Sequence, residues 1–282
     1  MTIPFFSIVT PVFNGYDFVE DYVYSLASQS FTDWEAIIVD DASSDESLSK
    51  LLSCTKYDSR FNLLSSSNFS RLSSFKGPYF PRNIALSVAT GKYICFLDID
   101  DYWLHDKLLL QYQQIISNPK ASLLISRFYK ADSCLASGYL KPVVSFIPIQ
   151  YQILFWNPVP MLTACVKFSL IKDIWFPPLH HEDFIFWHKV ISILPNPKII
   201  LICTQPLAIY RSSSTSVSSN KFKVVIWWLL CFKYFGYSRY FSYFLLGVKL
   251  AAQYIEYFLV MLRVIHIINL VPIVQRPLSS DD

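Results

Sequence analysis

Three aspartates, Asp98, Asp100 and Asp101, stand within four positions directly after the apolar run Tyr93-Ile-Cys-Phe-Leu97. Gathering that much like charge raises the energy of each carboxylate unless a cation neutralises it. All-oxygen ligation suits Mg2+ or Mn2+, which hold few protein carboxylates and complete their shells with water and substrate phosphates. The chemistry within reach is the handling of a nucleotide diphosphate, with Asp98 and Asp100 as candidate metal ligands. The same acids could instead cap a helix beginning near Leu104.

Asp41 follows a second apolar run, Trp34-Glu-Ala-Ile-Ile-Val39, and Asp40. A carboxylate there can accept hydrogen bonds from a base or ribose, as the strand-end acid does in dinucleotide folds, or merely shape a turn; Asp40 is assigned the turn. Arg82, after Gly77-Pro78 and Pro81, can meet a phosphate bidentately or be a surface charge. In His181-Glu-Asp-Phe-Ile-Phe-Trp187, Asp183 could take a proton from a hydroxyl nucleophile. Alternatively, Glu182 and Asp183 only stabilise a helix dipole, above a core face of Phe184, Phe186, Trp187 and Val190. Trp187 is placed in the core rather than against an acceptor sugar. On an extended segment His180 and His181 point opposite ways, so at most one should reach a phosphate or metal.

Groups so far apart in sequence must be gathered by the fold. Residues 7–12 read as a strand buried on both faces, ended by Asn14-Gly15. Phe18, Val19, Tyr22, Val23 and Leu26 lie at helical spacing within 17–29, and 34–39 is a second strand. Ser43-Ser44-Asp45 signals a helix over 46–53, followed by a strand at 61–64, a helix at 82–89 ended by Gly91, and a strand at 93–97. Strands alternating with helices imply a mostly parallel sheet with right-handed crossovers. Ligands then bind beyond the carboxyl ends of the strands, which is where Asn14, Asp41 and Asp98 to Asp101 fall.

Taken together, Ser7-Ile-Val-Thr-Pro-Val-Phe-Asn14, Ile38-Val-Asp-Asp-Ala-Ser-Ser-Asp45 and Pro81-Arg-Asn-Ile-Ala85 leading to Gly91-Lys-Tyr-Ile-Cys-Phe-Leu-Asp-Ile-Asp-Asp101 resemble the family 2 inverting glycosyltransferases. The resemblance implies a GT-A fold, a Rossmann-like α/β architecture with a mostly parallel central sheet. It also implies a metal-dependent hexosyltransferase acting on a nucleotide-sugar donor, UDP-linked by expectation. Pro11 and Phe13 would enclose the base and Asp41 would bind base or ribose. Asp98 and Asp100 would hold Mn2+ or Mg2+ and the diphosphate, and Asp183 would be the catalytic base. Two departures stand out: Ser213 occupies the His position of the Tyr-Arg-x-His element, and the Gln-x-x-Arg-Trp element of processive synthases is missing. Transfer of one sugar per acceptor is therefore expected.

Composition bounds these readings. The chain has 282 residues, 53% hydrophobic, 17% aromatic and 16% charged, which excludes disorder, and 6 Gly and 16 Pro exclude collagen-like and low-complexity classes. The six cysteines show no metal-ligand spacing and read as buried thiols. The N-terminal residues carry no basic region before an apolar stretch and no cleavage site, so the expected compartment is the cytoplasm. Residues 1–220 hold 17 Lys/Arg against 18 Asp/Glu, but 221–276 hold 7 against Glu256 alone, together with 14 aromatics. Basic charge among so many apolar residues points to lipid rather than nucleic acid.

The expected organisation is a GT-A domain over 1–220, a helical membrane- or partner-facing segment over 221–276 and an acidic tail over 277–282. Ser242, Lys249, Glu256 and Arg263 recur every seven residues, so a helix over 239–268 would carry one polar stripe on an otherwise apolar surface. Such a helix can lie peripherally on the inner face of the cytoplasmic membrane, its bases toward lipid phosphates. The alternative is a hairpin packed on the catalytic domain or on a second subunit; a transmembrane pair would bury Lys249 and Glu256 in lipid. The expected acceptor is a glycan or lipid-linked oligosaccharide in surface polysaccharide synthesis. A nucleotidyltransferase would need a Gly-rich, basic loop after the first strand, which Thr10-Pro-Val-Phe-Asn-Gly15 lacks; a non-catalytic scaffold is the other alternative.

Overall fold

Residues 6–12 offer no polar face to water, and they form β1 (Phe6–Val12), buried along its whole length. The computed structural model describes residues 3–71, 73–141, 149–153, 157–194, 199–212, 221–261, 267–270 and 273–274. The order continues α1 (Val19–Ala27), β2 (Trp34–Asp40), α2 (Ser47–Thr55), β3 (Phe61–Ser65), α3 (Tyr79–Val88), β4 (Tyr93–Phe96), β5 (Tyr102–Trp103) and α4 (Lys107–Ser117). Then come β6 (Leu123–Ala131), β7 (Ser137–Leu140), α5 (Ile149–Gln152), β8 (Cys165–Lys167), α6 (Phe168–Ile171) and α7 (Glu182–Ser192). The described chain ends with β9 (Ile200–Arg211), α8 (Lys221–Tyr234), α9 (Arg239–Met261) and β10 (Ile267–Asn269).

The sheet order is β10-β7-β6-β8-β4-β1-β2-β3, with β9 paired to both β6 and β5. The block β4, β1, β2, β3 is parallel. β8 is antiparallel to both β4 and β6, so β6 runs with the parallel block. Alternation along each central strand divides the core into two layers. Ile8, Ala36 and Ile38 pack with Val19, Tyr22 and Leu26 of α1, Leu51 of α2 and Leu108 and Ile115 of α4. Val9, Ile37 and Val39 pack with Ile84 and Ala85 of α3, Phe184 to Trp187 of α7, Trp228 and Phe232 of α8 and Leu245 and Leu246 of α9. Each fully buried Val, Leu, Ile or Phe among them contributes about 1.5–3 kcal/mol relative to exposure. Gly91 lets the chain enter β4 beside β1, because a Cβ there would lie 2.5 Å from the Ser7 nitrogen.

Several expectations shift. α3 begins at Tyr79, three residues early, because Pro81 sits comfortably in a first helical turn. The acids at 98–101 do not cap the next helix, which starts at Lys107 after Asp106. The helix expected to reach 268 ends at Met261: Ile267–Asn269 pairs antiparallel with β7, and edge-strand pairing overrides a short apolar run's helical reading. All six cysteines are free, but Cys54 and Cys134 are exposed rather than buried. Arg263 of the polar stripe, Ser213 and the tail at 277–282 lie outside the described residues.

Two residues of the stripe face inward. Ser242 and Lys249 are buried, whereas Tyr240 (86% exposed), Tyr243, Phe244, Leu250 and Tyr254 (71%) face out. The helical hairpin thus joins the catalytic core through Trp228, Phe232, Leu245 and Leu246 together with Ser242 and Lys249, and leaves a second, aromatic-rich face of α9 outside.

Candidate active site

The parallel register sets Val12 beside Asp40, so the two chains leave the sheet together. The Asp41 N–H donates to the Val12 carbonyl at 2.7 Å. Asn14, in the left-handed region at φ 51°, accepts from the Ser44 N–H at 2.8 Å, and its own N–H donates to Ser43 Oγ at 2.9 Å. These bonds lock the loop after β1 to the loop after β2. Asp40 takes its turn role by accepting from the Ser43 N–H at 3.3 Å. Asp41 Oδ1 accepts from Ser66 Oγ at 2.8 Å and from the Arg71 guanidinium. Pro11 is buried in β1, and Phe13 stands 62% exposed at the mouth.

Arg82, expected at a phosphate, is committed to carboxylates instead. It is 4% exposed; its Nη2 donates to Asp98 Oδ1 and Oδ2 at 2.7 and 2.9 Å, and its Nη1 donates to Glu182 Oε1 at 2.5 Å. α3 and its proline-flanked start carry Arg82 inward rather than to the surface. Although burial opposes it, the charges of Asp98 and Glu182 hold the guanidinium above its ordinary value. Burial pushes Glu182 up to about 7 even against Arg82. Such a buried pair contributes little net stability, but it ties the end of β4 to the start of α7.

That tie places Asp183. His181, in the left-handed region at φ 55°, turns the chain into α7, replacing the extended segment expected there. Asp183 Oδ2 accepts from Asn157 Nδ2 at 2.9 Å. Asp98, Asp100, Asp101 and Asp183 all act on Tyr210, whose hydroxyl they and burial, the larger cause, push up to about 12. The link back to Asp41 runs through Arg71, which donates to the Phe75 carbonyl at 3.2 Å, and the Phe75 ring, which meets His180 edge-on at 4.8 Å. His180 also stacks on Trp227 at 3.8 Å, and Trp187 is wholly buried in the core.

The last two aspartates divide their tasks. Asp101 Oδ1 accepts from the Arg211 N–H at 3.1 Å, while Arg211 Nε donates to the Asp100 carbonyl at 2.8 Å and Nη2 to Asp21 Oδ2 at 2.8 Å. Burial first, then the charges of Asp100 and Asp98, raise Asp101 well above the usual carboxylate range. Asp100 is pushed up to about 6 by burial and the Asp98 charge. Among the described residues no group of three or more His, Cys, Asp or Glu side chains is arranged to hold a metal ion. A divalent cation that draws its other ligands from water and phosphate needs no such group. Asp100, which no other side chain bonds among the described residues, fits that role, and Asp98 adds what Arg82 leaves free.

Asn157, Arg71 and the Arg82–Glu182 pairing were not singled out from sequence, and Lys249 was read only as part of the polar stripe of the C-terminal helix. Glu182 was visible beside Asp183, and Arg211 within the Tyr-Arg element; isolated Asn157 and Arg71 carried no signal.

The comparisons agree with this architecture. A β-1,3-glucosyltransferase of Escherichia coli, WfgD, named for transfer from UDP-Glc to α-D-GlcNAc-diphosphoundecaprenol, is 32% identical over 77% of this chain and 81% of its own. Staphylococcus aureus TarS, residues 1–349 in complex with UDP, superposes with TM-score 0.59 at 20% identity, covering 87% of this chain and 70% of that one; the chain spans 38% of a longer TarS structure. The mannosyltransferase PcManGT of Pyrobaculum calidifontis, in complex with GDP-Man and Mn2+, superposes with TM-score 0.59 at 16% identity over 89% of this chain and 74% of its own. These likenesses show the GT-A fold. The model of Glycosyl transferase family 2 matches residues 7–176, and the chain belongs to that family.

Proposed function

We propose that the chain moves one sugar from a UDP-linked donor to a hydroxyl of a lipid-linked glycan, with inversion, during surface polysaccharide synthesis. The observation that carries this reading is the Asp98–Arg82–Glu182 chain of hydrogen bonds, which ties the acidic segment bearing Asp100 to the helix start bearing Asp183. Phe13 and Pro11 flank the base, and Asp41, its carboxylate held by Ser66 and Arg71, accepts from base or ribose. Asp183 keeps one oxygen on Asn157 and turns the other to the acceptor hydroxyl, whose proton it takes as the oxygen attacks the anomeric carbon. Asp100, aided by Asp98, would hold Mn2+ or Mg2+, which stabilises the charge gathering on the departing diphosphate. PcManGT with Mn2+ supports the metal, and the WfgD name supports donor and acceptor class.

Incubation of the protein with a panel of nucleotide sugars, Mn2+ and a lipid-diphosphate-linked sugar is expected to give transfer from a UDP-sugar and a product of inverted anomeric configuration by NMR. Absence of turnover with every donor, or a retained configuration, overturns the reading.

In this reading residues 1–220 carry the chemistry and 221–276 carry attachment, peripherally, at a lipid surface on the cytoplasmic side. No helix among the described residues is long and apolar enough to cross a membrane. The outward ring of Tyr240, Tyr243, Phe244, Leu250 and Tyr254 recurs at helical spacing, and the segment's basic surplus favours anionic headgroups. Vesicles of phosphatidylethanolamine and phosphatidylglycerol are expected to carry the protein upward in a density gradient, and Tyr240→Asp with Phe244→Asp is expected to leave it at the bottom. Equal flotation of both proteins would refute attachment through this face.

A further inference from the structure

Lys249 points toward the catalytic side although it belongs to the lipid-facing helix. It is 8% exposed, and its ammonium lies 3.6 Å from the centroid of Trp228. Among the described residues no hydrogen bond or ion pair reaches it; the ring of Trp228 is its contact. Burial lowers it to about 8, so it remains a cation near neutrality, and Asp183 is the largest influence working the other way. Lys141, just after β7, adds a second positive charge acting on it.

The same tryptophan touches His181, 4.7 Å between ring centroids. The His181 Nε2 is buried without a partner, and burial holds the imidazole down to about 4, so near neutrality it is an uncharged ring. Two unsatisfied polar groups, one of them a full charge, therefore flank one indole beside Asp183. Leaving a buried ammonium and a buried ring nitrogen unpaired is costly, and the cost disappears when an anion with several acceptor oxygens enters. Among the described residues no carboxylate forms an ion pair with Lys249; the Asp183 charge acts on it from farther away.

We propose that Lys249, Trp228 and His181 form a cradle for a phosphate group of the acceptor, the group that joins the first sugar to its lipid. The donor diphosphate has its place at Asp100, across the site from Asp183. A phosphate seated in the cradle lies beside Asp183, so the sugar it carries can extend toward that carboxylate. Lys249 is thus an acceptor-specificity residue, and the assignment rests on the lipid-linked acceptor reading given above.

The test compares Lys249→Met and Lys249→Arg with the parent protein. Calorimetric titration with a short prenyl diphosphate is expected to show binding that weakens roughly 10- to 100-fold in Lys249→Met and is largely kept in Lys249→Arg. This binding measurement reports on the cradle even if no sugar is transferred. In transfer assays KM should rise by a similar factor for the diphosphate-linked acceptor, while an alkyl glycoside without phosphate and donor hydrolysis are unaffected. The melting temperature of Lys249→Met should not fall, since an unpaired buried charge is removed. Equal losses with both acceptors, a fallen melting temperature, or prenyl diphosphate binding indifferent to Lys249 would overturn the proposal. So would equal competition by inorganic phosphate or by phosphatidylglycerol vesicles, which would make the site a general anion or headgroup contact.

Discussion

Asp183→Asn is expected to bind the nucleotide donor as tightly as the parent protein and to lose transfer by roughly 10^2- to 10^4-fold, the span typical of a removed general base. The isosteric amide keeps the contact with Asn157, because its carbonyl oxygen can still accept from Nδ2 where Oδ2 did at 2.9 Å. It also leaves the anchor of α7 intact, since that anchor is the Glu182 bond to Arg82. What disappears is the capacity to take a proton from a hydroxyl, which is too weak a nucleophile without it. Donor affinity by calorimetry and single-turnover transfer separate the two effects. A parallel fall in donor affinity would mean that Asp183 holds the donor, and near-normal transfer would mean that another group takes the proton.

Much of this constellation was legible in the text of the chain. Apolar runs ending in Asn14, Asp41 and Asp98 are what a parallel sheet requires when its ligand lies beyond the carboxyl ends of its strands, and β1, β2 and β4 deliver those residues there. That Arg82 meets Asp98 and Glu182 was not legible, for a definable reason. A guanidinium fits carboxylate and phosphate equally well, and which it meets is decided by burial and by Glu182, which lies 100 positions away. β8 and β10, three residues each, are too short to show a period of two against neighbouring apolar sequence. The seven-residue spacing of Ser242 and Lys249 was visible, but periodicity names a face without saying whether it meets solvent, lipid or protein. Here Ser242 and Lys249 share the inner face with the core leucines Leu245 and Leu246, while a second, aromatic-rich face points out. An exposed aromatic-rich face of that kind is what a lipid or protein surface would cover.

Asp100→Ala is expected to abolish stimulation by Mn2+ and to lower the rate at saturating donor by roughly 10^2- to 10^3-fold, as loss of a group that stabilises charge on the leaving diphosphate should. The choice of Asp100 among three adjacent acids follows from their commitments. Asp98 has both oxygens on Arg82, at 2.7 and 2.9 Å, and Asp101 Oδ1 accepts from the Arg211 backbone at 3.1 Å. Asp100 alone among them lacks a bond from another residue's side chain or backbone to its carboxylate in the described structure, and burial with the Asp98 charge pushes it up to about 6. The sign of the pH effect follows. A raised carboxyl prefers its proton below about 6 and exposes a charged ligand above it, so proton and metal compete. Below that pH the Mn2+ concentration needed for half-maximal rate should climb by up to about tenfold per pH unit, and excess Mn2+ should restore the rate. The alanine variant should show neither behaviour, and a variant that still responds to Mn2+ with the parent's pH dependence would transfer the ligand role to Asp98, whose hold on Arg82 would then have to open when the donor binds.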